Sequence, residues 1–316
     1  MAMGMVFYST VRPVSANSLS NVQEINSDSQ VQINKQSEES GTFGTVHWVL
    51  DSDGTLTLGG GEFGVADLKS PWSECKIPVK KIIFTKTVLA NENSYFLFNS
   101  LSELQSIEGL NHLDTSNATN MSSMFSGCNG LTGLDVSNFV TQEVRDMSSM
   151  FNGCSGLTSL DVSKFDLISV TDMSSMFLDC NNLLSINLPQ SYGVGVEDMS
   201  SMFSGCTRLA SLDMSYLYSP VLKNSSYMFL NCSSLTNLDL SKFDTSSLPD
   251  MLNMTDLLGY DDNLKYMTLG DKTILSEYAA LVSANWKNHM STWSGDSNDL
   301  IARSKQGMGD TYERVA

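Results

Sequence analysis

Five cysteines recur at one spacing: Cys128, Cys154, Cys180, Cys206 and Cys232 stand 26 residues apart. Phe125, Phe151, Phe177, Phe203 and Phe229 keep the same register, and so do Leu131, Leu157, Leu183, Leu209 and Leu235. A fixed period of this size is the signature of a solenoid, whose repeats stack because one repeat cannot bury its apolar face alone. Length then counts rungs, and the 316 residues read as one extended array with end pieces.

The columns of the repeat predict its local structure. The third position of each regular rung is Asn120, Asp146, Asp172, Asp198 or Asn224, residue types that cap a helix by accepting from the following amides. Seven residues later come Gly127, Gly153, Asp179, Gly205 and Asn231, which tolerate the left-handed conformation that ends a helix. Between them Met147, Met150 and Phe151 fall at i, i+3 and i+4, so the spacing predicts a helix of under two turns facing the core. Leu157-x-x-Leu160-x-Val162 has the spacing of a leucine-rich-repeat strand. The predicted fold is an α/β solenoid: a leucine-rich-repeat-like array of 26-residue rungs, each a short strand plus a short helix.

The chain divides accordingly. Residues 1–16 end in Val14-Ser15-Ala16, a small-x-small pattern that reads as a signal-peptide remnant. Residues 17–40 are rich in Ser, Asn, Gln and Glu and read as a disordered leader. An N-terminal β cap is expected over 41–93, opening with the hairpin Thr45–Leu50, Asp51–Gly54, Thr55–Leu58. The leucine-rich-repeat solenoid is expected over 94–270, its last frame starting at Leu248 with Asp250 in the capping column and Leu258 in place of the cysteine. A C-terminal cap is expected over 271–316, with a weak helical pattern at Ile274–Ser283 and a helix beginning near Asn298.

The formal charge of −17 argues against nucleic acid as a partner. No stretch has the 18 or so apolar residues of a membrane span, so membrane insertion is not expected. Five of the six cysteines share one column of stacked rungs, where side chains run parallel and do not converge, so free buried thiols are expected. The three histidines fall in different segments and no Cys-x-x-Cys, His-Glu-x-x-His or Gly-x-Ser-x-Gly occurs. A repeat also spreads like residues along a face, whereas an active site brings unlike groups to one point. Neither catalysis nor an organic cofactor is expected.

The rung Asp146-Met-Ser-Ser-Met-Phe-Asn-Gly-Cys154-Ser-Gly-Leu-Thr-Ser-Leu-Asp-Val-Ser-Lys-Phe165 resembles the BspA-type leucine-rich-repeat surface proteins of Gram-positive bacteria, specifically over 118–247. The N-terminal segments Gly41–Thr45, Gly54–Leu58, Ser70–Trp72 and Lys81–Phe84 and the post-array stretch 304–316 resemble that family more loosely. The resemblance implies a secreted or cell-surface protein of the bacterial cell wall that adheres to host extracellular matrix, mucin or another cell-surface glycoprotein. Such proteins usually carry a Leu-Pro-x-Thr-Gly sorting signal; the sequence contains none, and the expectation is of a fragment or truncated product, acting as a monomer.

The candidate contact surface is the strand column Asp135, Asp161, Asn187, Asp213 and Asp239, flanked by Ser137, Ser163, Ser215 and Ser241. Stacked at rung spacing, these make a ladder of carboxylates and hydroxyls on the face solenoids use for partners. The alternative is a solvated face whose Asp and Ser side chains bond the local backbone. Carboxylates about 4.8 Å apart repel one another, which makes Ca²⁺ the one cofactor candidate. Tyr192, Tyr216 and Tyr218, in the loops after two strands, are the second candidate surface. The functional expectation is an adhesin, and its competitor is a non-binding spacer within a larger wall-anchored protein.

Overall fold

The computed structural model describes residues 38–66, 69–190, 193–249, 251–289 and 291–315. The expected signal remnant, leader residues 17–37 and Tyr192 lie outside them. Glu39 and Ser40, expected in the leader, instead open the first strand.

β1 (Glu39–Phe43), β2 (Val46–Leu50) and β3 (Thr55–Leu58) run antiparallel. The turn between β2 and β3 closes on the Asp51 carboxylate, which accepts from the Thr55 amide at 2.9 Å. β4 (Gly61–Glu62), β5 (Lys81–Phe84), β6 (Val88–Leu89), β7 (Ser106–Glu108) and β8 (Leu113–Asp114) follow. β3, β5 and β7 stack in parallel along one side of a coil, and β4, β6 and β8 along a second. The coil therefore begins to wind at β3 and makes about eight turns.

Further along, the first side is carried by β9 (Ser159–Asp161), β10 (Ser185–Asn187), β11 (Ser211–Asp213), β12 (Asn237–Leu240) and β13 (Tyr266–Leu269). β9 pairs with β10, β11 with β12, and β12 with β13, all in parallel. Past β13 come β14 (Asn285–Asn288), β15 (Ser294–Asp296), α1 (Ser297–Ser304) and β16 (Asp310–Val315). β16 lies antiparallel between β13 and β14, so the last rung's edge is covered. α1 is closed by a capping box between Asp296 and Asp299.

The rung helix is not there; α1 is the only α-helix among the described residues. The amides of Met147, Ser149, Phe151 and Gly153 donate to the carbonyls of Asp172, Ser174, Met176 and Leu178 of the next rung at 2.7–2.9 Å. The intervening amides of Met150, Asn152 and Cys154 reach only three residues back. Ser149 and Gly153 have φ of 55° and 70°, a conformation a right-handed helix excludes. Every second amide faces its neighbour and is satisfied there, so stacked turns replace the helix. The expected cap and stop residues do occupy the ends of this segment. Asp146 Oδ1 accepts from the Ser148 amide at 2.9 Å, and Gly127, Gly153, Asp179, Gly205 and Asn231 all have positive φ.

Inside the coil, Phe98, Phe125, Phe151, Phe177, Phe203 and Phe229 form a continuous stack with ring centroids 5.4–5.9 Å apart, slightly more than the rung spacing, as offset stacking requires. The methionines and leucines of the repeat fill the rest of a solvent-free core. Each column cysteine donates its thiol to the preceding rung's phenylalanine carbonyl: Cys154 to Phe125, Cys180 to Phe151, Cys206 to Phe177 and Cys232 to Phe203, at 3.1–3.2 Å. All six cysteines are free, and the five in the column are buried.

The last frame is offset from its expected register. Inter-rung bonds that join residues 25 apart become 28 apart at Ser225–Asn253, Tyr227–Thr255 and Phe229–Leu257, so the insertion precedes Asn253. Asn253 takes the capping column, Leu258 takes the phenylalanine column and Asp261 stands where the cysteine belongs; Asp250, expected in the capping column, lies outside the described residues. The expected pattern at Ile274–Ser283 is not helical either, because its backbone groups serve the rungs: the Tyr278 and Ala279 carbonyls accept from Asp256 and Leu258.

Asp261 is fully buried and neither carboxylate oxygen has a hydrogen-bond partner. Burial pushes its pKa up to about 7, which the Cys232 amide, already bonded to Phe229, offsets only in part. The folded pKa lies above the unfolded value, so the group's stabilising contribution is complete below about pH 4 and is lost as pH rises to about 7. Asp261→Cys restores the column residue. Relative to that variant, the native chain is expected to lose stability between those limits by up to about 1.4 kcal/mol per pH unit, read by denaturant melts across pH; parallel curves would contradict the assignment. Burial also raises the Cys154 thiol to about 12. A maleimide or disulfide reagent should therefore modify no more than the half-buried Cys75 in the native chain and all six thiols after denaturation.

Candidate partner-binding face

On the strand side the repeat Asp-x-Ser builds the same local turn in four rungs. The Oδ1 atoms of Asp135, Asp161, Asp213 and Asp239 accept from the amides of Ser137, Ser163, Ser215 and Ser241 at 2.8–3.0 Å, a short loop that ends the strand. These bonds favour the charged form. The Ser137 hydroxyl and amide hold Asp135 below the usual carboxylate range against repulsion from Asp161, and Ser163 does the same for Asp161. One oxygen of each carboxylate is thus committed to the fold, and Asp161 also uses Oδ2 to accept from Asn187 Nδ2 at 3.1 Å.

The third rung departs from the pattern: Pro189 stands where the others have serine, so Asn187 has no such loop. Beside it the parallel ladder is interrupted, for β10 pairs with β9 and not with β11. Proline supplies no amide and fixes its φ, so the strand is not continued there. A depression of about 330 Å³ opens at this break, lined by Ser163, Ile186, Asn187, Asp213, Tyr216 and Leu217 among others. A second, of about 380 Å³, continues from Asp213 across Asn237 and Asp239 to Tyr266, Thr268 and Thr311.

Of the sequence-predicted residues, Ser163, Asn187, Asp213, Tyr216 and Asp239 therefore come together along one groove. Asp135, Ser137 and Asp161 continue the column but line neither depression, and Ser215 and Ser241 serve the turns. Tyr218 is half-buried, with Lys272 Nζ 5.9 Å from its ring centroid. Sequence reasoning missed Tyr266, Thr268 and Thr311. Thr268 lies in the aspartate column, opposite Asp239, and was concealed by the three-residue insertion. Thr311 arrives on β16, and its hydroxyl meets that of Thr268 at 3.0 Å; antiparallel return of a post-array strand leaves no periodic trace. No three His, Cys, Asp or Glu side chains among the described residues converge in a way that could hold a metal ion. No described helix is long and apolar enough to cross a membrane.

Residues 92–208 and 190–265 match the family described as "Mycoplasma protein of unknown function, DUF285". No curated protein matches the sequence. Three solved structures are similar at 15% identity. A leucine-rich repeat protein from Eubacterium ventriosum covers 74% of this chain and 86% of its own, with a TM-score of 0.25. One from Bacteroides ovatus covers 78% of each, also at 0.25. A leucine rich cell surface protein from Faecalibacterium prausnitzii covers 77% of this chain and 93% of its own, at 0.18. Scores this low carry nothing beyond what the rungs themselves display.

The turn bonds separate the charge of the column from its structural role. Asp161→Ala is expected to destabilise the chain by about 1 kcal/mol through loss of the Ser163 bond, while Asp161→Asn, which keeps the acceptor, stays within about 0.5 kcal/mol of the native chain. Equal losses in chemical denaturation would show that the charge itself is structural.

Proposed function

The chain belongs to the DUF285 family, and from that starting point we propose that it is an extracellular bacterial protein that binds a partner through its strand face. The proposed partner is a host extracellular matrix protein, a mucin or another cell-surface glycoprotein, and the proposed location is secreted or held at the cell wall. The resemblance of its rungs to BspA-type surface proteins supports this setting. The observation that carries the binding reading is that two grooves run end to end along the predicted column and share Asp213. Asp213 and Asp239 are register partners on adjacent strands, each with one oxygen fixed by a serine amide, so the remaining oxygens are a pair of acceptors carried on strands about 4.8 Å apart.

Such a pair suits a partner that brings donors or positive charge. A bound divalent cation would relieve the repulsion between the two carboxylates and let the face meet an anionic mucin. The test is surface-based binding of the full chain to fibronectin, fibrinogen, collagen and mucin, with calcium and with chelator. Asp213→Asn combined with Asp239→Asn keeps both turns, because an Asn side-chain oxygen still accepts from the serine amide, as Asn120 Oδ1 does from the Ser122 amide at 2.8 Å. This pair is expected to weaken binding about 10- to 100-fold with little change in melting temperature. Unchanged affinity would reject this face, and no saturable binding to any of the four would leave the chain a spacer.

A further inference from the structure

The turn segment opposite the strand column changes character at the C-terminal end of the array. In regular rungs the left-handed position just before the second methionine-column residue is Ser123, Ser149, Ser175 and Ser201, with φ of 54–56°. The next rung puts Tyr227 there at 61°, and the rung after it replaces the glycine-type stop with Tyr260 at 63°. Large side chains enter this region at a cost, and burial does not repay it: Tyr227 is 40% exposed and Tyr260 76%. Tyr278, also exposed, lies one layer further along.

Hydrogen bonds fix the order of these residues. The Tyr227 amide donates to the Thr255 carbonyl and the Asp256 amide to the Tyr278 carbonyl, both at 2.7 Å. Asp256 occupies the Tyr227 column one rung on. By the same offset Tyr278 stands one layer beyond Asp256 in the adjoining column, that of Thr255, so the carboxylate is flanked along and diagonally across the coil by two exposed aromatic residues, with layers about 4.8 Å apart. Asp256 is in none of the ion pairs among the described residues, and Lys223, four residues before Tyr227, is already paired with Glu197 at 2.7 Å.

We propose that this edge is a second docking surface, and that its occupant is a cationic segment of another protein, an arginine or lysine side chain lying between Tyr227 and Tyr278 against Asp256. The argument is charge complementarity. Aromatic faces attract guanidinium and ammonium groups, a carboxylate adds a charge-assisted hydrogen bond, and the chain's net charge of −17 draws cations towards it. A neutral glycan would use the rings but gain nothing from the carboxylate's charge or the surrounding field. The surface is separate from the strand groove and does not depend on it.

The test is titration calorimetry of the full chain with a short oligoarginine peptide, a length-matched oligoglutamate and a neutral oligosaccharide. The variants are Tyr227→Ser with Tyr278→Ser, and Asp256→Asn. The tyrosine pair leaves the net charge unchanged, and serine is what four regular rungs carry in the Tyr227 column, so the fold is expected to melt at the native temperature or above. The expected result is saturable oligoarginine binding that weakens about tenfold in the tyrosine pair and also in Asp256→Asn. Oligoarginine affinity unchanged in the tyrosine pair would reduce the binding to the bulk negative field and overturn the proposal. Tyrosine-dependent binding of the oligosaccharide in preference to oligoarginine would overturn the occupant.

Discussion

The fold depends on one interaction, the hydrogen bond from an amide in one rung to a carbonyl in the next. In the turn segment these bonds recur at every second residue, from Met147 to Gly153 and onward through each rung. They force the alternation of ordinary and left-handed residues that Ser149 and Gly153 display. They also hold identical side chains in register, so that phenylalanine stacks on phenylalanine and each thiol finds the carbonyl of the rung before it. A backbone satisfied between rungs cannot be satisfied within them, which is why a rung is neither a helix nor a stable unit alone.

The same register decides what the surface can offer. A core column repeats because packing demands it, and an outer column repeats because the turn chemistry demands it. The Asp-x-Ser column is of the second kind: its first oxygen belongs to the fold and only its second is available. What singles out one part of that face is the departure from repetition. Pro189 breaks the ladder, the groove opens beside it, and the antiparallel β16 brings Thr311 to the far end. The turn edge follows the same rule, since its aromatic residues replace serine and glycine only where the regular rungs end.

Much of this was legible in the sequence. The period, the buried columns, the free thiols, the β2–β3 hairpin and a helix beginning near Asn298 follow from residue spacing and turn chemistry. The turn segment was misread because Met147, Met150 and Phe151 have helical spacing, and two stacked turns produce the same apolar pattern as one helical turn and a half. Periodicity reports which side chains face inward, not where the amides go. The register of the last rung, which moves Asp261 into the cysteine column, was hidden by a three-residue insertion whose position only the inter-rung bonds fix. The groove was half legible: its aspartates stand in a visible column, but its break and its closing strand arise from pairings between distant segments.

The most direct measurement of the central claim is NMR coupling through hydrogen bonds in the turn segment. The inter-rung account predicts that the Ser149 amide nitrogen couples to the Ser174 carbonyl carbon and that of Phe151 to Met176. Coupling of Ser149 to Arg145 and of Phe151 to Met147, the partners four residues back that a helix would supply, would contradict it.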